Sequence, residues 1–455
     1  VLTLDGRAWL QVDTRCLLEW DPERYPDPAA FVAELRAMGY RLCLWEYPYV
    51  SVHNPRFQEL AAEGYFLRDA GGGGPHVFHW DPEPFGEVLT PLPPSAAVDF
   101  TNPAACAWWR ECHRPLFEIG VDVMKTDFGE QVSGDVVAHN GDRGGRLHNV
   151  YPLLYNRCVF EASERAHGRG EALVWGRSGW AGSQRYPLQW GGDPQADWEG
   201  LAASVRGGLS WGMSGAPFYS HDVGGFYGGP PDPELYVRWV QAGVMSSHTR
   251  LHGIGPREPW RFGEEAERIV RDWFRRRYRL LPYLEACAVE AAETGLPVMR
   301  AMPLAFPGHR PAWAYEEQYL LGPALLVAPV LGPGGEVELY LPPGAWYDLR
   351  TGERLAGPRL LRLTVPLAEL PVYGRGGRLL PLGPEGIEHT GGLPEETPIA
   401  EVWSFGRPHH GFATRHRRVT VEERSGGGRV LGLPEDTPLR IWGAADVAAE
   451  EAGGG

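Results

Sequence analysis

Over the first 300 residues, short apolar runs alternate with amphipathic stretches, and each change of period marks an expected change of element. In DPAAFVAELRAMGY, residues 27–40, Asp27 suits a helix cap and Pro28 the first helical position. Phe31, Leu35 and Met38 then share one face until Gly39 ends the helix. RLCLWEYPYV follows as a strand that runs out into a loop. The unit recurs with Asn102 as cap, Pro103 behind it, a helix through Phe117, Gly120 as the stop, and VDVMKTDF as the strand. TLDGRAWL, EALVWG, YPLQW, APFYSH and VMSSHT read as further strands. Seven strands interleaved with helices predict an α/β chain: a (β/α)8 TIM barrel over residues 1–300, with an inserted loop around 68–98. The eighth strand, the first of the barrel, is expected upstream of Val1, so the barrel is expected to be N-terminally truncated. Beyond residue 300 the texture turns to Gly/Pro-punctuated β segments such as YLLGPALLVAPVL, EVELYLP and LAELPVYGRGGRLLPL. These predict a proximal C-terminal β-sandwich over 301–383, then a partial distal β domain or disordered tail over 384–455.

Charge and composition narrow the partners. A net charge of −15 excludes a polyanion such as nucleic acid, which needs a basic surface. No apolar run reaches membrane-spanning length, so no membrane is implied, and residues 1–20 carry no signal-peptide pattern. The six cysteines, at 16, 43, 106, 112, 158 and 287, form neither a CxxC pair nor a disulfide framework, which predicts reduced thiols and a cytoplasmic location. The 18 tryptophans are in excess and point weakly to carbohydrate, because flat aromatics floor sugar rings. Of 43 Lys plus Arg, one is lysine, Lys125; every other basic position is arginine.

That lysine sits in the run most suited to chemistry. Asp127 closes the VDVMKTD strand, where barrel enzymes place their active sites. Lys125, two residues earlier, points to the same side, about 7 Å away along the strand. Its ammonium favours the ionised carboxylate, although a buried salt bridge would use the same pair. Asp193 in QWGGD is a second candidate, behind two glycines that let the backbone approach a ligand and beside Trp190, an aromatic wall that would favour the protonated acid. An ionised carboxylate and a protonated one are what retaining glycoside hydrolysis requires, with the carboxyls about 5 to 5.5 Å apart. Asp5, Trp45, Arg177, His221 and Asp222 also follow strands and suit sugar hydroxyls and ring faces. Each alone reads as structural; their shared location after strands is what groups them.

Four runs, GVDVMKTDFGE, WGRSGWAGSQRYPLQWGGD, SHDVGGF and SSHTRLHG, resemble in order the signature segments of glycoside hydrolase family 31, and LEWDPERYPDP, LCLWEYPYV and RYRLLPYL resemble further segments of it. The resemblance covers about residues 1–380. It implies a retaining α-glycosidase of the α-xylosidase or α-glucosidase type, acting on terminal α-linked glucose or xylose in oligosaccharides or glycosides without a cofactor. It further implies that Asp127 is the nucleophile, that Asp193 is the acid/base, and that Asp5, Trp45, Lys125, Arg177 and His221 line the sugar subsite. By the resemblance, the sequence as given is expected to lack the family's N-terminal β-sandwich and so to be a fragment. LDGRAW stands where α-xylosidases carry Asp-Cys-Phe-Trp, placing Arg7 near the sugar or out in solvent, and Glu46 replaces an apolar residue. A transglycosidase or lyase would use the same nucleophile. An impaired carbohydrate-binding fragment would keep the fold, and a Schiff-base barrel enzyme would use Lys125 instead. The expected partner is a small sugar or oligosaccharide, and the oligomeric state, homo-oligomer included, is left open. GGGG at 71–74 reads as a loop tip, the His248 and His252 pair in HTRLH lacks further metal ligands, and RDWFRRRYR reads as an ion-paired helix surface.

Overall fold

The computed structural model describes residues 1–11, 17–80, 92–390, 393–394, 396–408, 410–424 and 427–443. Cys16, the 81–91 part of the expected insert, part of RSGGGR and the final glycines lie outside them. The chain divides into two compact units, Val1–Gln189 and Trp190–Gly455.

The first unit is built on a parallel sheet of β1 (Leu2–Leu4), β2 (Leu42–Glu46), β3 (Val123–Thr126) and β4 (Val174–Gly176), in that order, with Gln189 aligned beside Gly176. Three helices connect and cover it: α1 (Pro28–Ala37), α2 (Pro103–Glu118) and α3 (Tyr151–His167). Their starts follow local chemistry. Asp27 accepts the Ala30 N–H and Asn102 the Ala104 N–H, each with proline behind it, and such a cap contributes about 1 kcal/mol. Gly120 ends the α2 segment with φ +103°, a conformation that favours glycine. Two sequence expectations need correcting here. In α1, Phe31 and Leu35 of the expected stripe pack partly buried against the core beside the fully buried Val32, whereas Met38, the cap residue after the last helical turn, is 60% exposed. TLDGRAWL is a strand only to Leu4; Asp5 then precedes a helical turn, Gly6–Trp9.

The sheet has two distinct faces, set by the two-residue period. Trp45, Lys125 and Trp175 are register partners on one face. Glu46, Thr126 and Gly176 are partners on the other, which meets the helices. There Thr126 bonds Asn156 of α3 at 2.6 Å and Glu46 bonds His113 of α2 at 2.9 Å. Short strands Tyr49–Ser51, Val77–Phe78 and Ser95–Ala97 form an antiparallel excursion from the same unit.

The second unit contains helices Trp198–Met213, Pro233–Val244, Glu264–Arg279 and Leu281–Thr294, and Pro233–Val244 packs on a parallel pair, Asp222–Val223 with Arg250–Leu251. VMSSHT is therefore not a strand: the helix runs through Val244 and pairing begins at Arg250. From Met299 the chain turns mainly to β structure, beginning with an antiparallel six-stranded sheet led by the long hairpin Glu336–Asp348 and Arg354–Thr364. Strands Glu401–Phe405, Phe412–Ala413, Arg418–Arg424, Gly427–Leu431 and Leu439–Trp442 follow. Among the described residues no helix is long and apolar enough to cross a membrane. The five described cysteines are free thiols.

Candidate active site

Asp127 is the first residue after β3, its N–H bonded to the Glu46 carbonyl at 2.9 Å, so two neighbouring strands fix where its side chain starts. The next residue, Phe128, has φ +58°, a left-handed conformation uncommon outside glycine. That turn brings the Phe128 N–H back onto Asp127 Oδ1 at 2.8 Å. Arg177 Nη1 meets the same oxygen at 2.9 Å. The other oxygen, Oδ2, accepts the Trp45 indole N–H at 2.6 Å and lies 3.8 Å from Lys125 Nζ. Both oxygens of a carboxylate only 8% exposed are thus held from several directions.

Lys125 also donates to Asp5 Oδ1 at 3.1 Å, so the one lysine of the sequence lies between two carboxylates. It is an ion-paired group, unlike the unpaired, desolvated amine of Schiff-base chemistry. Trp45 is placed by the Gly6–Trp9 turn: the Trp9 indole donates to the Trp45 carbonyl at 3.0 Å. A Cβ on Gly6 would meet the Trp45 ring at 2.6 Å, so glycine is required there for the indole to lie flush. Arg7 is exposed, and Glu46 is completely buried on the helix face, away from the face that carries Lys125. Of the two departures from the resemblance, the one at Glu46 is thus a packing position.

Sequence reasoning missed Glu130. Its carboxylate bonds Arg177 on one oxygen and accepts the Ser178 hydroxyl at 2.7 Å on the other. It lies inside the GVDVMKTDFGE run, and an acidic residue three positions after Asp127 was the available signal.

The second unit carries the remaining candidates. Asp193 is half-buried, with the Tyr227 hydroxyl 3.4 Å from Oδ2. Tyr227, also missed, is brought there by bonds from Phe226 N–H to the Pro194 carbonyl and from Ala196 N–H to the Tyr227 carbonyl. The two glycines before Asp193 serve the chain itself: a Cβ on Gly191 would strike the Tyr219 hydroxyl at 2.2 Å, and Gly192 has φ +78°. Trp190 is buried, with the Arg250 guanidinium 5.8 Å from its ring centre. Arg250 also forms an ion pair with the buried Asp222.

His221 Nδ1 accepts the Trp239 indole N–H at 3.0 Å, which leaves its proton on Nε2. That Nε2 is buried with no hydrogen-bond partner among the described residues, a donor suited to a ligand hydroxyl. Burial lowers the His221 pKa to about 4, against the raising effect of Asp222, and lowers that of His248 to about 3, helped by Arg277, Arg250 and His221. Both imidazoles are neutral near pH 7. Among the described residues no group of three or more His, Cys, Asp or Glu side chains is arranged to hold a metal ion.

Comparison with known proteins supplies the context for this arrangement. Residues 1–286 match the model of the glycosyl hydrolases family 31 TIM-barrel domain, and residues 295–380 match that of the family 31 C-terminal domain. An alpha-xylosidase of Emericella nidulans is 38% identical over 386 residues, 82% of this chain and 48% of the relative. Human neutral alpha-glucosidase AB is 32% identical over 82% of this chain and 41% of its own length. A solved Flavobacterium johnsoniae dextranase, complexed with glucose, superposes with a TM-score of 0.82 at 28% identity, covering 94% of this chain and 56% of that one. The chain spans about half the length of the curated relatives it matches.

Proposed function

The chain belongs to glycosyl hydrolase family 31, and from that membership we propose that it acts as a retaining α-glycosidase on terminal α-linked glucose or xylose. Asp127 attacks the anomeric carbon while Asp193 protonates the leaving oxygen. Asp193 then draws the proton from a water that releases the sugar with its configuration retained. The observation that carries the reading is the fixing of both Asp127 oxygens by Trp45, Phe128 N–H, Arg177 and the nearby Lys125. Such donors hold a nucleophile in one orientation with no reorganisation during attack.

Lys125, Asp5, Trp45 and Arg177 are the proposed sugar contacts around Asp127, and His221, Asp222 and Trp190 are the further proposed contacts. The neutral His221, whose Nε2–H has no acceptor among the described residues, is the donor best suited to a sugar hydroxyl. Xylose and glucose both remain in the proposal because relatives of both activities match this chain. Hydrolysis is preferred over transglycosylation and lyase chemistry, and the intact pair of aspartates argues against a carbohydrate-binding protein without activity. We further propose a cytoplasmic setting, supported by the free thiols of the five described cysteines.

The test is hydrolysis of a panel of aryl α-glycosides by the purified protein, with NMR of the anomer first released. Retention is expected, together with a loss in Asp127→Ala of about 10⁴-fold or more in kcat, the scale seen when a nucleophile is removed. First release of the inverted anomer, or undiminished turnover in Asp127→Ala, refutes the mechanism.

A further inference from the structure

The two cations beside Asp127 are each shared with a second carboxylate. Lys125 lies between Asp127 and Asp5, and Arg177 between Asp127 and Glu130. The Arg177 arrangement is the more closely constrained. One end of its fork meets Asp127 Oδ1 and the other is bonded by Glu130, while its centre stacks 4.2 Å over the Phe128 ring. Glu130 is in turn anchored by the Ser178 hydroxyl, from the residue directly after Arg177. Its loop is pinned on both sides, because the buried Tyr49 hydroxyl accepts from the Gly129 and Gln131 N–H groups. Yet the Glu130 side chain is 40% exposed, so core packing does not account for a carboxylate there.

We propose that Glu130 is a positioning residue for the nucleophile, acting through Arg177. A guanidinium held at one end pivots about its remaining torsions. Held at both ends and across its face, it has one plane and presents Nη1 to Asp127 in one direction. Glu130 also supplies the second negative charge that Arg177 needs, so that the cation does not concentrate its whole field on Asp127. The inference rests on the reading that Asp127 is the attacking group.

The test compares the wild-type protein with Glu130→Gln, Ser178→Ala, Arg177→Lys and the Glu130→Gln/Arg177→Lys double variant, all checked for folding by circular dichroism. An aryl α-glycoside gives kcat and KM. A 5-fluoro-α-glycosyl fluoride gives the rate at which a glycosyl ester accumulates on Asp127, read by mass spectrometry. Losing a charge-assisted link of this kind corresponds to roughly a 10- to 100-fold fall in kcat and in labelling rate, with KM within about threefold. Ser178→Ala is expected to move the same quantities in the same direction by less. The double variant should fall short of the product of the single effects, since both changes break one link.

Unchanged kcat and labelling in Glu130→Gln overturn the proposal. So does a raised KM at unchanged kcat, which would make Glu130 a direct sugar contact. Absence of a glycosyl ester on Asp127 in the wild type is a different failure, that of the proposed mechanism, and it removes the basis of this inference with it.

Discussion

Replacing Lys125 by arginine keeps the charge and changes only its shape, which makes it the sharpest probe of the site. Lys125 is 2% exposed, its Nζ 3.1 Å from Asp5 and 3.8 Å from Asp127. In the sheet it is flanked in register by Trp45 and Trp175. At an effective dielectric of about 20, the attraction across 3.8 Å is ~4 kcal/mol before desolvation is counted. The Asp5 contact is discounted further, because that carboxylate is a third exposed and screened by water. An arginine must fit a longer, planar fork into the same niche, and overpacking of this kind costs about 1 to 3 kcal/mol. We therefore expect a folded protein with Tm lowered by about 2–4 °C per kcal/mol. Because the strain falls on the Trp45 ring that bonds Asp127, kcat/KM for an aryl α-glycoside should drop about 100-fold, or ~2.7 kcal/mol in the barrier. Thermal denaturation and steady-state kinetics on the same preparation separate the two effects. Wild-type kcat/KM in Lys125→Arg would refute the claim that a compact ammonium is needed.

Two further outcomes can be checked directly. In the fully buried Glu46 and His113 pair, His113 Nδ1 bonds the Trp109 carbonyl and so carries a proton, which leaves a second proton shared between Nε2 and Glu46. Glu46→Gln can still donate to Nε2 and should cost ~1 kcal/mol or less, whereas Glu46→Ala strands the histidine and should cost about 3 kcal/mol, both with kcat unchanged apart from unfolding. A drop in kcat for Glu46→Gln would place this residue in the chemistry after all. The pKa values of His221 and His248, lowered to about 4 and about 3, mean that the unfolded chain takes up protons near pH 6.5 that the folded chain refuses. Stability from these groups is complete above about pH 6.5 and is lost as pH falls toward 4, on the order of 2 kcal/mol for each between pH 7 and pH 5. Tm measured across that range should fall for the wild type and fall less steeply for His221→Gln; parallel slopes would contradict it.

What could be read from the sequence was what neighbouring residues decide. Asp27 and Asn102 cap helices within three residues of themselves, and Lys125 and Asp127 share a face through the two-residue period of a strand, so both features were legible. The end of the α1 stripe was not: Phe31 and Leu35 pack against the core beside Val32, but the helix stops before Met38, which the rest of the fold leaves exposed. The strand at TLDGRAWL stopped early because Asp5 begins a turn that serves Trp45, far along the chain. The same limit applies to the site. The Trp45 bond to Asp127, the Glu130 bond to Arg177 and the Trp239 bond to His221 join residues 82, 47 and 18 positions apart, and no local pattern encodes them. Tyr227 reaches Asp193 only because two loop segments pair.

Gly6 gives this long-range dependence a practical meaning. Its missing side chain is the space in which the Trp45 ring lies, and that ring holds Asp127. Residues 6 and 45 are therefore sterically coupled. A loop carrying any side chain at position 6 would displace the Trp45 ring, and with it the Asp127 carboxylate, without touching Asp127, and only a matched exchange at position 45 would set it back.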